Sequence, residues 1–135
     1  MAKVKYIPCD VYKRGIYVFI GSLSELKSYV KSTFTEEEYE DFVDMVMKTE
    51  HKETYSASFF YNNLDGQGIV HVPRYPRTPI EIGALAHEIL HATFHVLNFC
   101  HVEYTYDGNN EAYTYLHEHL MRGAFEENGY KKVQI

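Results

Sequence analysis

The segment from Thr78 to Asn98 constrains the fold more than any other stretch of this 135-residue chain. Thr78-Pro-Ile-Glu81 combines a capping box with a proline at the first helical position. That pattern fixes a helix start at Pro79 and predicts a helix running to about Asn98. Ile82, Leu85, Ala86, Ile89, Leu90, Val96 and Leu97 cover most of its circumference, which predicts deep burial. The rest of the chain has to supply the layers that cover it.

The other elements read in order. Lys3–Ile7 and Gly15–Ile20 are strand candidates, the second rich in β-branched and aromatic residues. Ser22-Leu-Ser-Glu25 is a capping box opening a helix to about Ser32. Thr35-Glu-Glu-Glu38 is another, with Phe34 and Tyr39 spaced as a hydrophobic staple, and its helix runs to about Lys48. The acidic run Glu36–Glu38 suits a helix N-terminus and needs no further role. Thr54–Asn62 and Gly68–Val72 read as strands around an Asp65-Gly66 turn, an antiparallel hairpin. Asp107-Gly-Asn-Asn110 offers two N-cap residues for a last helix from about Glu111 to Phe125. The expected architecture is α+β: a single domain over residues 1–135, with a small twisted sheet packed on helices.

Composition narrows the function. A formal charge of -6 argues against a general nucleic-acid binder. No apolar run approaches the roughly 20 residues needed to span a bilayer. The opening Met-Ala-Lys-Val-Lys lacks the apolar stretch of a signal peptide. Two cysteines, Cys9 and Cys100, are too few for a disulfide framework and read as small buried hydrophobes. A cytoplasmic setting, without membrane or nucleic-acid partners, is therefore expected.

Against its apolar background the central helix carries a polar stripe: Glu81, His87, Glu88, His91, His95 and Asn98. Water or a metal in a cleft would each satisfy it. His87 and His91, four positions apart, share one face about 6 Å apart along the axis. Two imidazoles so placed can converge on one ion at about 2.0–2.1 Å each. Glu88, rotated roughly 100°, would miss the ion but reach a water held there. This is the mechanical content of His-Glu-x-x-His. The motif arises by chance in roughly one chain in twenty of this length and composition, so its setting in a well-capped helix carries much of the weight. His95 lies about 12 Å from His87 along the axis, too far to share the ion.

Catalytic zinc usually takes three protein ligands and one open position. Phe94 and Leu97 stand where a metzincin has its glycine and third histidine, and Cys9 lacks the Glu-Gly-Cys context of a deformylase. Glu111, at the start of the next helix, is the candidate that an αα-hairpin would return toward His91. Its simpler role is a first-turn glutamate facing the helix dipole.

Gly83-Ala-Leu-Ala-His-Glu-Ile-Leu-His-Ala92, followed by Asn110-Glu-Ala-Tyr-Thr-Tyr-Leu116, resembles the small zinc metallopeptidases encoded by many bacteriophages. It is also similar to minimal gluzincins. The likeness covers the chain from about Val70. It implies a zincin-like fold with zinc between the two helices, held by His87, His91 and Glu111, and Glu88 as the base. Many gluzincins place an aspartate four residues after the ligand glutamate; here Tyr115 stands there.

His117 and His119 point about 200° apart and cannot join one site. His101, Tyr104, Tyr115 and His117 are the candidates for stabilising an oxyanion. The reading is a Zn2+-dependent endopeptidase acting on protein or peptide. A metal-binding protein without proteolysis, structural or virion-associated, and a metal-free interaction module are the competing readings. Arg74 and Arg77 would flank the cleft entrance, where acidic partners and ordinary solubility account for them equally well.

Overall fold

The computed structural model describes residues 2–47, 57–108 and 110–134. Among these residues, five strands and four α-helices follow in the order β1 (Lys3–Cys9), β2 (Arg14–Ile20), α1 (Leu23–Thr33), α2 (Glu36–Met47), β3 (Ser58–Tyr61), β4 (Gly68–Val72), α3 (Pro79–Phe99), α4 (Asn110–Phe125) and β5 (Lys131–Lys132). A one-turn 3-10 helix, Asp10–Tyr12, joins β1 to β2. The strands form one mixed sheet in the order β3-β4-β2-β1-β5. β2 runs parallel to β4, and the other neighbours are antiparallel.

Strand alternation divides the core into two layers. On β2, Ile16, Val18 and Ile20 join Val70 and Val72 of β4 beneath α3 and α4. Phe19, Ile69 and Phe60 point the other way and pack against Leu26 and Val30 of α1 and Phe42 and Val46 of α2. The class is thus α+β, with the sheet between two helical layers.

Local signals set the helix starts. Each of the three capping boxes closes in both directions: Ser22 with Glu25, Thr35 with Glu38, and Thr78 with Glu81. Each is worth about 1 kcal/mol. The β3–β4 turn is held by Asn62, whose Oδ1 accepts from the amides of Leu64 and Asp65, and by Gly66 at φ 78°. The hairpin Gly68–Val72 partner was expected with these bounds. Thr54–Ser56 and Lys48, assigned above to a strand and a helix end, lie outside the described residues, as does Asn109.

α3 and α4 form an antiparallel pair. At one end Tyr113 Oη donates to Val102 O at 2.6 Å. At the other, Tyr75 Oη donates to Phe125 O at 2.7 Å, and Arg77 pairs with Glu127 at 2.6 Å. Lys5 Nζ donates to the carbonyls of Gly123 and Glu126, where cations suit a helix C-terminus.

Two expectations need correction. Deep burial of α3 holds for Leu85, Ile89, Ala92, Val96 and Leu97, but Ile82 and Leu90 remain 43% and 44% exposed. Apolar residues all round a helix therefore do not mean cover all round it. Arg74 and Arg77 are engaged with Glu81 and Glu127, so neither is a free charge awaiting an acidic partner.

Candidate metal centre

The two flanks of α3 are defined by their neighbours. On one flank His95 stacks on Tyr61 of β3, with centroids 4.5 Å apart, and meets Phe59 edge-on at 5.3 Å. Its Nε2 contacts Gly66 O at 2.7 Å, the N–H donating. Burial depresses its pKa, opposed by that hydrogen bond. His95 is thus a satisfied histidine that ties α3 to the β3–β4 turn. On the other flank Phe94 packs against Tyr113 of α4 at 5.0 Å and against Tyr104 at 6.1 Å, while Tyr104 and Tyr113 meet edge-on at 5.2 Å. His91 precedes Phe94 by three residues and His95 by four. The His87–His91 ridge therefore rises between the two flanks and is open to solvent.

On that ridge the two imidazoles turn toward one another. Their Nε2 atoms are 3.2 Å apart, with ring centroids at 4.9 Å and planes at 73°. Two nitrogens at that spacing subtend about 100° at an ion 2.05 Å from each, close to tetrahedral. Glu88 joins them: one ligand atom from each of His87, Glu88 and His91 lies within 4.8 Å of the others. The Glu88 side chain is half-buried, and its Oε2 is shielded from solvent with no hydrogen-bond partner among the described residues. Desolvation raises its pKa, opposed by the charges of His91 and His87. A shielded carboxylate oxygen without a donor, beside two converging imidazoles, is a donor set suited to a cation.

No family model, curated protein or solved structure matches the chain.

The geometry brings together His87, Glu88 and His91, all from α3. Glu111 is exposed in the first turn of α4 and stands outside that group. The oxyanion candidates are likewise outside it. His101 is exposed in the α3–α4 loop at φ 60°. Tyr104 belongs to the ring cluster with Phe94. Tyr115 is 69% exposed and faces the β1–β2 connection. His117 has its Nε2 buried on α4 without a partner among the described residues, and Nε2 of His119 meets Pro8 O at 2.7 Å. Sequence reasoning did not anticipate the Phe94–Tyr104–Tyr113 cluster. The spacing of Phe94, one turn beyond His91, was the available signal.

Proposed function

We propose that His87 and His91 hold a zinc ion through their Nε2 atoms and that the protein hydrolyses peptide bonds with Glu88 as the proton-transferring group. The observation that carries this reading is the 3.2 Å convergence of the two Nε2 atoms beside the unpartnered Glu88 Oε2. When bound, zinc supplies Lewis acidity, lowering the pKa of water toward about 7 and polarising a carbonyl. Glu88 takes a proton on its carboxylate and returns it to the leaving amine. Its raised pKa brings it nearer the range in which a carboxylate can both accept and give a proton near neutrality. Glu111 is the proposed third donor from the chain. The likeness to phage-type and gluzincin peptidases belongs to this proposal.

β3 fits the task of holding substrate. It is an edge strand. Asn62 N donates to Gln67 O, so Asn62, Phe60 and Ser58 use their backbone groups toward β4. The backbone groups of Ala57 and Phe59 then point to the free edge, on the flank of α3 that carries Glu88 and His95. An extended peptide adding there would lie along the site.

One observation favours a second reading. Glu88 sits within the 4.8 Å group and Glu111 does not. With Glu88 as the third ligand, the site would bind metal without a free base and would not hydrolyse peptides. The Glu88→Gln variant separates the two. Zinc retained with hydrolysis of an unfolded protein substrate abolished supports the peptidase. Zinc lost together with Glu88 supports the binding protein.

A further inference from the structure

A concave site lies on the face of α4 turned toward β1, formed by residues with no role in the proposed chemistry. The connection from β1 to β2 arches over α4 and leaves a cavity of about 400 Å³. That is within the size range of small-molecule sites. Its floor is Leu116 and Cys9, 5% and 4% exposed, with Tyr12 and Ala112 beside them. Its lips are Val11 and Tyr115, 86% and 69% exposed. Large apolar side chains left in solvent around an apolar floor mark a surface that gains by being covered.

The cavity is held open by structure on both sides. His119 Nε2 donates to Pro8 O at 2.7 Å, joining α4 to the end of β1. The 3-10 turn is closed by Lys13 N donating to Asp10 O at 3.1 Å, with Lys13 in the left-handed region at φ 54°. Cys9 contributes a neutral thiol, its pKa pushed up to about 11 mainly by burial.

The charges at the lining choose the ligand class. Among the described residues, Asp10 is the one carboxylate lining the cavity, and no lysine or arginine does so. His119 spends one ring nitrogen on Pro8 O. An anion would meet Asp10 without a compensating cation, whereas an ammonium would be drawn to it. We propose that this cavity binds a small, largely apolar molecule carrying an amine, its apolar part on Leu116 and Cys9 and its ammonium at Asp10.

The test is an NMR titration of the full chain with phenylbutylamine and, in parallel, with phenylbutyrate, following the amide signals of Cys9, Ala112 and Leu116. The expected result is saturable shifts at these residues, with the amine binding roughly fivefold more tightly than the carboxylate. Asp10→Asn, an exposed change with little folding risk, should bring the two affinities together. Ala112→Phe, which occupies the cavity, should remove both. Absence of saturable shifts at these residues overturns the proposal. So does equal binding of the two probes, or a preference that survives Asp10→Asn. None of these outcomes bears on zinc binding at His87 and His91.

Discussion

α3 and α4 make different kinds of contribution to the site read from the sequence. On α3, His87, Glu88 and His91 come together because helical geometry alone dictates it. Residues four apart are neighbours on any helix, and capping by Thr78 and Glu81 fixes where this one begins. On α4, Glu111 would reach the pair only through the connection between α3 and α4 and the packing of the two helices. It remains exposed and outside the group. Chemistry written within one helix is set by local rules, whereas chemistry shared between two helices depends on contacts that spacing does not specify.

That contrast orders the expected effects. The largest belongs to the local pair. His91→Ala should abolish stoichiometric zinc binding, read by elemental analysis, because His87 and the proposed Glu111 donor fall short of the three protein ligands such a site needs. Next, Glu88→Gln should leave zinc in place and reduce hydrolysis of an unfolded protein substrate by about 10²–10⁴-fold, the usual worth of a general acid–base group. A smaller effect is expected across the helix pair. Glu111→Ala should weaken zinc affinity by roughly tenfold, measured by competition with a chelator, and leave the thermal midpoint of the metal-free chain nearly unchanged. If Glu111→Ala proves as severe as His91→Ala, the local pair is not the dominant contributor.

The smallest effect concerns the β3 flank. The pKa of His95 in the folded chain is depressed below its ordinary 6.5, chiefly by burial. The unfolded chain therefore takes up this proton first. Its contribution to stability is complete above about pH 6.5 and declines as pH falls from there through the folded value. His95→Phe should show a shallower loss of stability than the parent between neutral pH and pH 5 in urea titrations. Parallel curves would remove His95 as a source of acid sensitivity.

What the sequence made legible follows the same division. Ser22, Thr35 and Thr78, each followed three residues later by glutamate, marked three helix starts because a cap is satisfied within its own turn. β4 was readable from the Asp65-Gly66 turn before it and from its β-branched residues Ile69, Val70 and Val72. β5 was not, since Lys131 and Lys132 carry no strand pattern and are placed by pairing with Val4 and Lys3. The parallel pairing of β2 with β4 joins segments some fifty residues apart and has no local signature. The exposure of Leu90 was hidden for a related reason. Composition says that a residue is apolar, while neighbouring elements decide whether anything covers it.

The central claim, that His87 and His91 form a metal site, is tested most directly by counting zinc per chain in protein purified without chelator and then offered zinc. The parent should hold about one ion, Glu111→Ala less at limiting zinc, and His87→Ala combined with His91→Ala none. A parent that holds no zinc even when it is offered would contradict the account. The 3.2 Å approach of the two Nε2 atoms would then be a hydrogen bond between imidazoles, one nitrogen donating to the other.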